Sequence, residues 1–407
     1  MKKIFLISYY FPPFGGAGAQ RIVKFVKYLP DYKWNSIVLT VKEKYYQNSI
    51  DKSFLKDIPS STKIIKTNTL PKFKNFFLNK LIIALSIPDL KIWWSFYSYK
   101  KAKRIIYQEN IDIIYATGDP FSSFVFAYLL AKNTKRKFII DFRDAWVKDV
   151  RNKEMNILGK IKKILSVPLF KLVLKKSSAI ILATEGMYYD FLKSFNQYKN
   201  KLYFIDNGFD EEDFDNLGIK KGGRKFTITF SGSLYKDRDP KRFFQAINYI
   251  KNNRSDIYNK LKINFWGFFD DSFKNNYKEI SDVVCINGTI SHNLLINKII
   301  NSDMLLFIGE NVENSHQINS SKIFEYIASL KPILALINED MGAYKIIKQS
   351  GLGIFCDIEN YIDIANKIIS VVENELNLEP NLKFIKKYSR KNLTYQFSNI
   401  LNKSCKQ

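Results

Sequence analysis

Cysteine and histidine are scarce in this 407-residue chain, with three cysteines (Cys285, Cys356, Cys405) and two histidines (His292, His316). The cysteines are far apart and lack metal-type spacing, which argues against a disulfide framework and a zinc site and for a reducing compartment. No apolar run approaches the roughly 18 residues needed to read as a membrane span. The start, MKKIFLI, imitates a signal peptide, but its apolar run is short and passes into YYFPP without a small-residue cleavage site. No repeat of fixed period and no low-complexity tract appears. These absences predict a cytoplasmic globular protein, and the length predicts two domains.

Charge is abundant and one-sided. Residues 1–200 hold 36 Lys and Arg against 14 Asp and Glu, a net of +22, whereas residues 201–407 carry 28 against 25, a net of +3. A lysine-rich proteome would raise the total without producing this asymmetry. A field confined to one half calls for an anionic partner, either a nucleic acid or an acidic membrane surface.

The first half alternates short β-branched runs (KIFLISY, NSIVLTV, TKIIKTN, IDIIYAT, KFIIDFR, SAIILAT, KLYFIDN) with helical patterns such as 20-QRIVKFVKYL-29. A second series (FTITFSGS, KINFWGF, DVVCING, DMLLFIG, KPILALI, GLGIFCD) follows the polar stretch 215-DNLGIKKGGRK-225. Continuous apolar strands separated by helices predict parallel sheets covered on both faces. The fold class is α/β, with two tandem doubly wound Rossmann-like domains facing across a cleft and ligands outside the carboxyl ends of the strands. The expected bounds are 1–205 for the first domain, 206–385 for the second, and 386–407 for a helix crossing back to the first.

Three segments carry chemistry. The loop 15-GGAGAQR-21 follows the first strand, and its Gly16 and Gly18 expose backbone to whatever approaches. As a dinucleotide fingerprint it fails, with Arg21 at the third position. It reads either as a phosphate-binding turn or as a tight strand-to-helix connection. In 231-SGSLYKDRDPKRFF-244 a strand ends at Gly232, and Arg238 in the following loop could fork two phosphate oxygens or be a solvated surface arginine. In 315-SHQINSSKIFEYIASLKPIL-334, Ser320, Ser321 and Lys322 sit at a helix N-terminus, a natural anion site. Glu325, one turn later, suits a pair of sugar hydroxyls or is a plain helix-surface acid.

These residues together give a resemblance over essentially the full length: the chain resembles a family-4 retaining glycosyltransferase of the GT-B architecture. Gly15, Gly16 and Gly18 match that family's first loop, 207-NGFD-210 its entry to the second domain, Arg238 its diphosphate-binding basic residue, and Glu325 the second acid of its Glu-x7-Glu motif. The segments 88-PDLKIWW-94, 115-YATGDPFSS-123 and 141-DFRDAW-146 resemble a subgroup that builds bacterial surface polysaccharides, capsule or lipopolysaccharide. The chain departs from the pattern at Gln317, where the first acid would fall, at Ser233 in place of an arginine, and at Gly118 and Asp119, where many relatives have a histidine. Neither His292 nor His316 fits that role by position.

The resemblance implies retaining transfer from a nucleotide sugar, a UDP- or GDP-sugar, with no further cofactor and no metal. It assigns donor binding to Gly16, Gly18, Asn207, Gly232, Arg238, Gln317, Ser320, Ser321, Lys322 and Glu325. Asp119 and Asp141 are candidates for positioning the acceptor hydroxyl, with Arg143 beside them; Asp141 and Arg143 read equally well as a buried ion pair. Acceptor binding falls to the first domain, where 72–104 and 160–176 mix lysines with aromatic and aliphatic residues as interfacial helices do. Each lysine near an anionic leaflet is worth about 1 kcal/mol. The implied acceptor is a lipid-linked saccharide, and the implied location is the inner face of the plasma membrane. Two rivals are a catalytically inactive GT-B-like binding protein, which Gln317 makes thinkable, and a nucleic-acid-binding protein. The latter needs aromatic-basic strands or a reading helix, and neither is found.

Overall fold

The structure is a computed structural model that describes residues 1–46, 50–71, 75–144, 157–215 and 225–406. Each of the thirteen apolar runs holds a strand. In the first unit these are β1 (Lys2–Ile7), β2 (Trp34–Val41), β3 (Lys63–Thr67), β4 (Ile113–Gly118), β5 (Lys137–Phe142), β6 (Ala179–Leu182) and β7 (Leu202–Phe204). They form one parallel sheet in the order β3-β2-β1-β4-β5-β6-β7. The second unit contains β8 (Phe226–Ser231), β9 (Leu261–Trp266), β10 (Val284–Ile286), β11 (Met304–Ile308), β12 (Ile333–Leu336) and β13 (Gly353–Phe355). Its parallel sheet runs β10-β9-β8-β11-β12-β13.

The runs are continuously apolar because both sheet faces are covered. On β1, Phe5 and Ile7 enter one core while Ile4 and Leu6 enter the opposite one. On β11, Met304 and Leu306 face one core and Leu305 and Phe307 the other. Strand order reverses between β1 and β4 and between β8 and β11. The carboxyl ends of these strands therefore open the crevice where such sheets bind ligands.

By their contacts the units are Met1–Asp206 with Arg390–Gln407, and Asn207–Ser389. The return to the first unit begins at Arg390; the short helix Leu382–Lys386 belongs to the second. The helix Arg390–Lys406 packs on Ala17–Tyr28, with Phe397 stacked on Phe25 (4.7 Å between ring centroids) and edge-on to Tyr115 (4.9 Å).

The glycine loop's Arg21 is drawn inward rather than toward a ligand. Its Nε and Nη2 donate to the two carboxylate oxygens of Asp141 on β5 at 2.8 and 3.2 Å. Its remaining donors reach the Asp206 and Ile205 carbonyls at 2.7 and 2.9 Å. Tyr115 donates its hydroxyl to the same carboxylate, and burial followed by the Asp141 charge pushes this phenol far above its usual range. Asp141 is 0% exposed and Arg21 1%. This corrects the expectation for Asp141: the carboxylate is enclosed and fully engaged, so it cannot position an acceptor hydroxyl, and its ion-pair partner is Arg21, not Arg143.

Breaking a buried pair leaves an uncompensated charge, which costs about 3–5 kcal/mol. Arg21→Met should therefore lower urea-unfolding stability by that order, and Asp141→Leu added to it should recover part of the loss. Equal destabilisation by the single and double variants would show that the pair does not govern this core.

Candidate functional site

In the first unit, chemistry-bearing groups collect beyond the carboxyl ends of β1, β4 and β5. Gly16 caps the helix Ala17–Tyr28 in extended conformation. A Cβ on Gly18 would stand 2.3 Å from a guanidinium nitrogen of Arg143. The bare backbone at Gly18 is thus approached by the chain's own arginine. Arg143 Nε donates to the Gly118 carbonyl at 2.8 Å and Nη2 to that of Asp119, clasping the glycine loop and the loop after β4 together. Asp89 accepts from the Ser122 amide and hydroxyl, both at 2.8 Å, and from the Lys91 amide at 2.8 Å. Lys91 Nζ lies 4.9 Å above the Tyr9 ring.

Asp119 remains open to solvent at one side. Partial loss of water and the neighbouring charge of Asp89 push its carboxyl up to about 6, against the opposing pull of Arg143. Burial likewise raises Asp89, opposed by its hydrogen bonds from Ser122. Paired acids of this kind, one of them titrating near neutrality, can hold or exchange a hydroxyl proton.

The second unit gathers two clusters. The loop after β8 is built on glycines. Gly232 has φ +140° and Gly267 φ +125°, and a Cβ on Gly267 would overlap the Gly232 carbonyl oxygen at 1.9 Å. Beyond them, Arg238 donates from Nη2 to Glu310 at 2.7 Å and from Nη1 to the Ser233 carbonyl at 3.2 Å. Its buried Nε has no partner among the described residues. Arg238, Glu310, Gly309, Ser315 and Ser320 line one small pocket.

The helix Lys322–Ala328 begins immediately after Ser321. It carries Glu325, 1% exposed, whose carboxylate meets His292 Nε2 at 2.9 Å and Lys322 Nζ at 3.3 Å. His292 opens the helix His292–Ile300, and its Nδ1 lies 3.9 Å from Asp213. The Ser231 amide donates to the Tyr326 hydroxyl at 2.8 Å, fixing this helix to the end of β8.

The structure thus brings Arg238 together with Ser320, and Lys322 with Glu325. Gln317 ends a short turn, Ser315–Gln317, and is half-buried. Asn207 is half-buried in the loop after β7 and joins neither cluster by a hydrogen bond among the described residues. Sequence reasoning missed His292 and Glu310. A lone histidine carries no periodic signal, but Glu310 was findable as the first acid beyond a strand at the order reversal.

No family model and no curated protein matches the chain. Solved structures do. A glycosyltransferase from Rickettsia africae aligns with TM-score 0.64 and 16% identity over 100% of this chain and 99% of that one. HepE of Anabaena, crystallised in complex with UDP, aligns with TM-score 0.62 and 14% identity over 99% and 100%. WaaG, a glycosyltransferase involved in lipopolysaccharide biosynthesis, gives TM-score 0.60 and 12% identity over 98% and 99%. UDP-N-acetylglucosamine 2-epimerases share the architecture as well. At these identities the likeness establishes the fold: the chain is a GT-B protein of two Rossmann-like units.

The raised Asp119 gives a stability prediction. Its folded pKa of about 6 exceeds the 3.8 usual for an aspartate, so the folded state binds the extra proton between those values and stability falls as pH rises through that window. Asp119→Asn should raise the unfolding free energy at pH 7.5 by no more than about 1 kcal/mol, because solvent screens the site, and change nothing at pH 3.5. A uniform shift at both pH values would contradict the assigned cause.

Proposed function

We propose that this protein is a retaining, metal-independent glycosyltransferase. It moves a sugar from a UDP- or GDP-sugar to a lipid-linked saccharide during synthesis of bacterial surface polysaccharide, capsule or lipopolysaccharide, at the inner face of the plasma membrane. The observation that carries the reading is Arg238: a half-buried guanidinium whose buried Nε has no partner among the described residues, in a pocket shared with Ser320. The same unit holds Glu325, oriented by His292 and Lys322. The complex of HepE with UDP supports the donor class, and the role of WaaG in lipopolysaccharide biosynthesis supports the pathway.

In this mechanism departure of the nucleoside diphosphate builds negative charge on the leaving oxygens while the sugar becomes oxocarbenium-like. Arg238, Lys322 and the backbone around Gly232, Ser320 and Ser321 are placed to meet that charge as preorganised donors. Glu325 receives the two ribose hydroxyls, and Gln317 hydrogen-bonds the sugar without adding charge. In the first unit Asp119 orients the acceptor hydroxyl, and Arg143, tied to Gly118 and Gly18, fixes the loop that presents it. Attack on the face the leaving group vacates lets a phosphate oxygen take the proton and retains the anomeric configuration. The epimerases among similar structures favour a second reading, a nucleotide-sugar epimerase, which keeps the donor pocket and dispenses with the acceptor.

A thermal-shift panel of UDP, GDP, CMP and ADP tests the donor site. A nucleotide at 100 times its Kd stabilises by about 2.7 kcal/mol, so one of UDP or GDP should raise the melting temperature with concentration. Arg238→Ala and Glu325→Ala should abolish the shift. His292→Ala should weaken nucleotide affinity about tenfold by leaving Glu325 less well held. No response to any nucleotide would sink the donor site. Conversion of UDP-N-acetylglucosamine to its 2-epimer without an acceptor would select the epimerase.

A further inference from the structure

The helix Phe76–Leu85 (FFLNKLIIAL) buries none of its residues. Phe77 is 80% exposed, with Leu81 and Leu85 also open to solvent. Ile82 and Ala84 are half-buried, and both ends are fixed by polar contacts. Asn75 caps it by accepting from the Leu78 amide at 3.0 Å. At its other end Ser86 donates to the Ile82 carbonyl at 2.6 Å and accepts from Trp93 Nε1 at 2.9 Å.

Beside it runs the helix Ile157–Lys176, joined by a hydrogen bond from Lys162 Nζ to the Ile83 carbonyl. This second helix buries Phe170, Val173 and Leu174 in the core. It exposes Ile161, Ile164 (69%) and Leu165, which at i, i+3 and i+4 form one stripe. Two adjoining helices therefore present bulky apolar side chains to solvent. A contiguous patch of that kind marks an interaction site.

The two segments themselves carry charge of one sign. From Ile58 to Pro88 the sequence holds five lysines and no acid, and from Met155 to Thr184 six lysines and no acid. Lys80 lies over the Phe76 ring with Nζ 4.5 Å from its centroid, a cation–π contact that sets a positive charge directly on the apolar face. Two such faces brought together would repel, which disfavours a second copy of the chain as the occupant. No helix among the described residues is long and apolar enough to cross a membrane.

We infer that Phe76–Leu85 and the exposed stripe of Ile157–Lys176 form a monotopic docking surface for an anionic lipid bilayer. The apolar side chains enter the headgroup–acyl boundary, and the lysines lie among anionic headgroups. The inference names the surface that holds the proposed transferase at its membrane. It can also stand or fall alone, because vesicle binding and nucleotide binding are read separately.

The test is flotation of the full-length protein with phosphatidylglycerol–phosphatidylethanolamine vesicles and with phosphatidylcholine vesicles. Binding should favour the anionic vesicles about tenfold at low salt and weaken at high ionic strength. Phe77→Ser with Leu81→Ser, and Ile164→Ser with Leu165→Ser, should each reduce the bound fraction about tenfold with melting temperature and nucleotide shift unchanged. Variants that float like the parent protein would overturn the inference, as would equal binding to neutral vesicles. A dimer in sedimentation that the same substitutions dissociate would replace the bilayer with a second copy.

Discussion

The Arg21–Asp141 pair is the contact on which the architecture of the first unit turns. Arg21 lies on the helix that follows the glycine loop, Asp141 on β5, Tyr115 on β4, and the carbonyls of Ile205 and Asp206 just beyond β7. One guanidinium thus joins the carboxylate on β5 to the carbonyls beyond β7, and through that carboxylate to the Tyr115 hydroxyl on β4, in a region closed to water. A buried ion pair of this sort is weak evidence for stability in itself, because desolvation of both charges offsets their attraction. Its consequence is positional. With all three guanidinium nitrogens of Arg21 bonded inward, the helix N-terminus cannot rotate without stranding a charge, so Gly16 and Gly18 are held at the crevice rim. Arg143 then closes over Gly18, where any side chain would collide with it.

The second unit uses charge differently. The cations of its two clusters are already matched by acids: Arg238 by Glu310, and Lys322 by Glu325, which also meets the His292 ring. An anion arriving at Arg238 must compete with the Glu310 carboxylate, and only a group with more than one charged oxygen can use the free Nε and the pocket backbone together. The pairing also keeps the empty site from carrying an uncompensated buried charge. Such an arrangement favours a diphosphate over a simple carboxylate. In the proposed reaction it reserves the strongest interaction for the moment when charge grows on the leaving group.

Legibility in the sequence followed the range of each signal. Both sheets were readable because strands buried on two faces are uninterrupted apolar runs, and β1 through β13 all stand on such runs. Glycine positions were readable as places where backbone is approached, but the approaching group was not: at Gly18 it is Arg143, from a loop 125 positions away in sequence. Asp141 was placed in the right strand with the wrong partner. Arg21 and Arg143 are both arginines near the same sheet end, and only three-dimensional packing decides which one faces inward. Arg238 and Lys322 were identifiable from local spacing. Glu310 could be singled out by its place just beyond β11 and His292 by nothing local, and only the fold joins them to Arg238 and Glu325.

The charge asymmetry along the chain acquires a physical sense from these two arrangements. The net +3 of residues 201–407 coexists with a pocket lined by Arg238, whose charge is met at short range by Glu310. A net of +22 over residues 1–200 is carried mostly by exposed lysines spread along the segment. Diffuse charge of one sign attracts an extended surface of the opposite sign, and screening by salt limits it to about 10 Å. Apolar side chains supply the short-range contact that such a field cannot. A helix that buries none of its residues, set among lysines without acids, combines both ranges. That combination favours a lipid surface over a nucleic acid, whose phosphates would gain nothing from Phe77 or Ile164.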